Sequence, residues 1–293
     1  MSTHAVSARK LHPTASSRPI VRRTSGHAHG AVTRLVSPGD IGQVIKPFVF
    51  LDYFEAEPAN GPAFGFHPHS GIATLTLILS GQAFYKETTG REGVIDAGGV
   101  EWMRAGSGVW HAGGISGTER IKGFQLWVAL PPSLELAEPK SQYLDASAFR
   151  SAGPARVIAG EYGGVKSPVG SPLGMTYLDV RLRVRERWVF QPPRDHNVAW
   201  IASHQGRLAS PSEISAGEAV VFEEADAPIE FEALTDAGFV IGSAIKHPYE
   251  LVTGHYSVHT TEAALRQGES NIAAIGRRLH NQGVLGPKAR VRA

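Results

Sequence analysis

From Pro47 onward the chain is cut into short apolar runs by glycine, proline and aspartate every eight to twelve residues. PFVFLDYF (47–54), IATLTLILSG (72–81), QAFYKETTG, REGVIDAGGVEWM, RAGSGVW and IKGFQLWVAL follow one another in this way. Runs of that length, rich in β-branched and aromatic residues, read as strands, and turn residues at that spacing read as antiparallel connections. In 72–79, Ile72, Thr74, Thr76 and Ile78 share one face while Ala73, Leu75, Leu77 and Leu79 share the other. The pattern predicts an all-β sandwich or barrel.

The texture repeats after a proline-rich, polar stretch at 131–144, a natural crossover between two domains. ARVIAGEYGG, MTYLDVRLRVRERWVF, NVAWIASHQGRL, GEAVVFEEA and APIEFEAL form a second set. In 177–190, alternation places Leu178, Val180, Leu182, Val184 and Trp188 inward, with Asp179, Arg181, Arg183 and Arg185 outward. That arginine stripe reads as a solvated strand face rather than a nucleic-acid contact, because acids surround it. Only the end is helical in pattern: EAALRQG, capped by Thr260 or Thr261 and ending at Gly268, then a second short helix over about 271–283.

A length of 293 residues fits about two domains. With 42% hydrophobic and 19% charged residues, a disordered chain is excluded. There is no cysteine, which excludes disulfide scaffolds, thiol nucleophiles and thiolate zinc sites and fits a reducing compartment. No run approaches the ~18 apolar residues of a membrane span, and the first 30 residues lack the apolar core of a secretory signal, so a cytoplasmic location is expected. The net charge of +2 hides an asymmetry: all 27 acids lie within 40–269, while the ends hold 11 of the 29 bases and leave the body at −9. The first 30 residues are Ser/Arg-rich and free of acids. They read as a flexible basic arm, and a mitochondrial presequence is the minor alternative.

The chemistry is concentrated in 61–114. His67-Pro68-His69 is followed 42 residues later by His111. On a strand, residues i and i+2 face one side, so His67 and His69 can present two imidazoles together, and His111 can complete a facial set. Imidazole suits Fe, Cu, Ni and Zn, and three protein ligands leave positions open for water or substrate. Gly61 lies six residues before His67, Gly81 twelve after His69, and Gly108 three before His111. Glycines so placed permit the sharp corners of a barrel. Six aromatic and sulfur-bearing residues, Phe50, Phe66, Trp102, Met103, Trp110 and Trp127, are candidate walls of an apolar pocket, with Phe50 and Phe66 foremost. His196, His204 and His247 form no comparable set, and His27 and His29 lack a barrel context.

The spacing G-x5-HxH with G-x2-H resembles the cupin motifs. PFVFLDYF, FGFHPHSGIATLTLILSG, GGVEWMRAGSGVWHAGG, GFQLWVALP and the closing YELVTGHYSVHTTEAALRQG resemble the pirin family over about residues 31–268. The resemblance implies a bicupin: two stacked antiparallel β-barrels (double-stranded β-helix or jelly roll) with short C-terminal helices. The expected division is a basic arm (1–30), a metal-bearing barrel (31–140), a metal-free barrel (141–270) and a basic helix and tail (271–293). It also implies a mononuclear divalent metal, iron first, with Ni, Cu, Co, Mn or Zn as alternatives. Flavonol (quercetin) 2,3-dioxygenase activity or iron-dependent transcriptional co-regulation goes with it, in a monomer. A small flavonol-like aromatic and a protein are the partners expected; direct sequence-specific nucleic-acid binding and membrane association are not.

His67, His69 and His111 fall on three of the family's four ligand positions. The fourth, a glutamate, is here Gly113. The other acidic positions of the family and of cupins in general fall on Ala73, Thr74 and Ser80, and Tyr85 stands where the family has a histidine. Three neutral imidazoles leave a divalent ion at +2 rather than +1, with more coordination room. The proton-accepting role of the family glutamate then falls to a metal hydroxide, to a side chain such as Glu101, or to nothing. Glu101, ten residues before His111, is the candidate base, although an outward-facing strand position is its plainer reading. Gly113 also leaves open a non-catalytic, metal-responsive binding protein or a metal-poor pseudo-enzyme.

Overall fold

The apolar runs form strands, and the strands form one arrangement twice. A computed structural model describes residues 18–58, 64–170 and 174–285. Residues 1–17 of the basic arm, the motif glycine Gly61 and residues 286–293 of the basic tail lie outside the described residues.

In the first half, a seven-stranded sheet has the spatial order Lys140–Leu144, Val100–Arg104, Ile72–Ser80, Ile121–Ala129, Phe48–Ala56, Val32–Val36, His27–His29. A four-stranded sheet, Phe64–His69, Val109–Ser116, Gln82–Glu87, Glu92–Ile95, packs on it. In the second half the large sheet runs Ile20–Thr24, Ala219–Phe222, Val198–Gln205, Ala237–Ala244, Met175–Leu182, Ala155–Ala159, Ser151–Ala152. Its small sheet is Arg187–Phe190, Ile229–Ala233, Arg207–Ala209, Glu213–Ser215. The order of equivalent strands is the same in both halves, as in a duplicated jelly roll. Each half is an open sandwich rather than the closed barrel expected, because among the described residues no hydrogen-bonded ladder joins the large sheet to the small one.

The two large sheets stack face to face. Phe48, Leu75, Leu77 and Phe124 of the first meet Tyr177, Trp200 and Val240 of the second in one buried core. The large sheets are therefore covered on both faces, which explains the near-continuous burial of Ile72–Ser80 and Met175–Leu182. It also corrects the reading of 177–190. Asp179, expected at the surface, is buried and paired with Arg156 at 3.2 Å. Val184, expected inside, is exposed, because the strand ends at Leu182 and the chain turns through Arg185 at φ +68°.

The halves differ between their own sheets. In the second, Phe190, Phe222, Phe231 and Phe239 fill that space. In the first the filling is lighter, with Ile78, Ile95, Ile121, Ala83 and Ile115, and a cavity occupies the rest. One half keeps a solid core; the other keeps a pocket.

The chain ends are exchanged between halves. Strand Ile20–Thr24 pairs with Ala219–Phe222 at the edge of the second large sheet, and Arg18 anchors it through the carbonyls of Glu223 and Asn197. The expected flexible arm is thus ordered from about Ile20. Strand Lys140–Leu144 fills the equivalent edge of the first sheet, so the first unit extends beyond residue 140. At the other end, residues 256–281 leave the second half and pack on the first. One 20-residue helix, Glu262–Asn281, replaces the two short helices expected. Thr261 caps it through its side chain on the Ala264 amide. Gly268 lies inside this helix and does not end it: a Cβ there would come within 2.5 Å of His259 Nε2 and Ser70 Oγ. The glycine serves close approach of the helix to the sheet, and the helix stops before Gly283, at φ +71°.

Candidate metal centre

The small sheet of the first half brings the three histidines together. His67 and His69 share the inner face of Phe64–His69, and His111 sits directly opposite His67 on Val109–Ser116. Gly81 (φ +72°) turns the chain from the large sheet back into this one. Ring centroids are 4.4 Å apart for His67–His111 and 5.0 Å for both His67–His69 and His69–His111. One ligand atom from each lies within 4.8 Å of the others.

The imidazoles of His67 and His69 are held through Nδ1, and that of His111 faces a carboxylate. His67 Nδ1–H donates to the Gly65 carbonyl at 2.8 Å, and His69 Nδ1–H to the Tyr256 carbonyl at 3.2 Å. His111 Nδ1 lies 3.6 Å from Glu101 Oε1. Carbonyl and carboxylate oxygens only accept, so Nδ1 carries the proton and Nε2 is the free ligand atom. The Nε2 atoms of His69 and His111 are buried with no hydrogen-bond partner, an arrangement that costs free energy unless an ion takes the lone pairs. Burial, with help from neighbouring His111, lowers the His67 pKa to about 4 and puts His69 well below its usual value. The rings of His67 and His69 are neutral and ready to ligate at pH 7. The donor set fits a divalent transition ion.

Glu101 is not an outward-facing strand residue. It is 4% exposed and turned toward the histidines. Thr76 Oγ1 donates to its Oε2 at 2.5 Å and Tyr143 OH to its Oε1 at 3.3 Å. Burial pushes this carboxyl up, but the hydrogen bond and charge of His111, then Thr76 and Tyr143, outweigh it and hold it below the usual carboxylate value. Both oxygens are committed to donors.

A cavity open to solvent begins at His67 and His111. Phe54, Phe64, Phe84, Tyr85, Ile95, Ile115 and Ile121 give it apolar walls, and Asp52, Thr76, Gln125 and Glu101 give it polar points. Gly113 and Gly114 form the wall beside His111. Tyr85 stacks on Tyr143 with centroids 3.5 Å apart.

None of the six residues expected to line the pocket does so, and for Phe66, Trp110 and Trp102 strand alternation gives the reason. Phe66 and Trp110 each precede an inward histidine, so they face outward, where Leu279, Leu285 and Ile275 cover them. Trp102 neighbours inward Glu101 and points into the core between the large sheets. Met103 packs with Ala105 and Val109. Phe50 and Trp127 stack at 4.0 Å, and Trp127 meets His69 edge-on at 4.8 Å, so this pair backs the metal centre instead of lining the cavity.

The residues that the sequence did not disclose are Thr76, Tyr143, Tyr256 and the Glu135–His259–Ser70 group. Thr76 had a local signal, since it shares the inner face of its strand with Ile78. Tyr143 sits in the stretch read as a crossover, and Tyr256 acts through its backbone carbonyl; neither has a signature.

Two stacked cupin sandwiches with, among the described residues, a single all-histidine centre define a bicupin. The Pirin family model matches residues 30–128. A pirin-like protein of Caulobacter vibrioides is 34% identical over 236 residues, 75% of this chain and 84% of its own length. A Pseudomonas aeruginosa protein, provisionally named a quercetin 2,3-dioxygenase, is 35% identical over 228 residues, 72% of this chain and 79% of its own. A bacterial pirin of Escherichia coli in complex with nickel(II) superposes with a TM-score of 0.62 at 18% identity, covering 78% of this chain and 98% of that one. This chain belongs to the pirin family. Among the described residues no helix is long and apolar enough to cross a membrane.

Proposed function

We propose that the protein is a metal-dependent flavonol 2,3-dioxygenase of the quercetinase type. The observation that carries the reading is the triangle of free Nε2 atoms opening into an aromatic-walled cavity. Iron is the metal we assign, with nickel the first alternative because the Escherichia coli relative holds it; imidazole suits both. His67, His69 and His111 would hold a divalent ion, which would supply Lewis-acid chemistry toward a flavonol and dioxygen.

The chain's own residues do the rest. Gly113 and Gly114 leave the wall beside His111 without side chains, which makes room for a flat bidentate anion. Phe54, Phe64 and Phe84 exclude water from its rings. Glu101 holds His111 in the Nδ1–H tautomer and offsets part of the metal charge that a ligand at 113 would otherwise offset. With Thr76, Tyr143 and His111 on its two oxygens, it is better suited to that positioning role than to taking a proton.

The test is incubation of protein loaded with Fe, Ni, Co, Cu or Mn with quercetin, in air and without oxygen. Oxygen-dependent loss of the flavonol spectrum supports the reading; its absence with every metal sinks it. A second reading is a metal-responsive binding protein with no turnover, favoured by the lack of a carboxylate at Gly113. Its mark is a protein partner captured from lysate by the metal-loaded form and released by chelator.

A further inference from the structure

Glu135, His259 and Ser70 form a buried chain with the connectivity of a nucleophile–base–acid triad. His259 Nδ1 lies 3.2 Å from Glu135 Oε2, and His259 Nε2 lies 3.0 Å from Ser70 Oγ. The surroundings are wrong for hydrolysis. Ser70 is 0% and His259 1% exposed, and none of the three lines the cavity beside the histidines. No substrate carbonyl can reach Ser70.

What the group joins is more telling. Ser70 directly follows the ligand His69. Glu135 sits in the turn after the strand Ile121–Ala129, where Thr260 also donates to it, from its amide at 2.7 Å and its hydroxyl at 2.8 Å. His259 belongs to the C-terminal segment, which meets Ser70 through a parallel bridge at Ser257 and a 2.8 Å contact between the two hydroxyls. Three residues before His259, the Tyr256 carbonyl accepts from His69 Nδ1.

We propose that the segment 256–260 is a working part of the metal centre, and that Glu135–His259–Ser70 is the staple that holds the Tyr256 carbonyl against His69. The three are positioning residues. A carbonyl on Nδ1 sets the tautomer and ring plane of a ligating histidine, and loss of such a partner typically lowers metal affinity about 10–100-fold. Here that partner comes from the far end of the chain, after it has passed through the second half. The metal centre of the first half is therefore complete only once the C-terminal segment has docked. The helix has separate anchors, Trp110 Nε1 to the Ile272 carbonyl at 2.7 Å and Asn271 Nδ2 to the Ser107 carbonyl at 3.0 Å. Cutting the staple should therefore free 256–260 without releasing the helix.

This inference rests on the reading of the three histidines as a metal site. The experiment uses the full chain with His259→Gln and, as the milder variant, Ser70→Ala. Nickel(II) affinity is measured by calorimetry, copper(II) geometry by EPR, and backbone exposure by hydrogen exchange; His111→Ala gives the background from other histidines. The expected result is about a 10–100-fold loss of nickel affinity, an altered copper spectrum, and faster exchange confined to 256–260. Unchanged nickel affinity and copper spectrum in both variants overturns the inference, whether or not exchange rises. A loss accompanied by faster exchange across the whole first large sheet is a folding defect and also overturns it. Wild type that binds no more nickel than His111→Ala defeats the metal reading itself, a different failure.

Discussion

Replacing Gly113 by glutamate tests whether this wall faces the ion. His111 and Gly113 share the inner face of one strand, about 6.8 Å apart along it, within reach of a glutamate side chain. The backbone of Gly113 is not left-handed, and a Cβ there would lie 3.2 Å from the Phe84 carbonyl oxygen, a contact relieved by a few tenths of an ångström. The substitution should therefore fold. A carboxylate ligand would take the loaded site from +2 to +1. We expect nickel(II) affinity to rise at least about tenfold, or about 1.4 kcal/mol. At saturating metal that gain should raise the melting temperature of the loaded protein by roughly 2–4 °C. Without metal the new carboxylate sits beside Glu101, and stability should fall. Calorimetric titration and paired melts with and without nickel measure both. Equal affinity in the two proteins would refute the reasoning, because it would place position 113 away from the ion.

Glu101→Gln keeps the shape of the side chain but removes its charge behind His111; metal affinity should fall about 10–100-fold, and unchanged affinity would deny Glu101 the positioning role. Trp110→Ala should destabilise the fold by about 3–5 kcal/mol in urea unfolding, since the ring is buried under Gly276 and bonded to Ile272; a cost below about 1 kcal/mol would mean that the helix does not depend on it. Burial holds the His204 pKa near 4, against the opposing pull of Asp179. The unfolded state therefore binds the extra proton between pH 6.5 and 4, and the contribution of His204, up to roughly 3 kcal/mol, is fully present above pH 6.5 and lost as pH falls toward 4. His204→Gln should flatten the decline in stability between pH 7 and pH 4.5, and an identical decline in both proteins would remove this group from the account.

The sandwich class and the duplicated halves were legible because period-two alternation and regular turns are local properties. So was the histidine set, since HxH on a strand faces one side whatever surrounds it. The same alternation shows why two of the aromatic candidates failed: Phe66 and Trp110 adjoin inward histidines and must point the other way. Gly268 misled for the opposite reason. A glycine near a helix end reads locally as a stop, while its cause here is the approach of His259 and Ser70 from elsewhere in the chain.

The sequence by itself determined which residues alternate and which three imidazoles could meet, because a strand's faces depend only on its own residues. Tertiary structure decided the rest. Stacking of the large sheets covered both faces of Met175–Leu182 and buried Asp179. Four phenylalanines closed the space in one half that stayed open in the other. Exchange of the chain ends brought the Tyr256 carbonyl to His69, 187 positions away. Such contacts depend on how layers stack and where ends return, and no local pattern of residues encodes them.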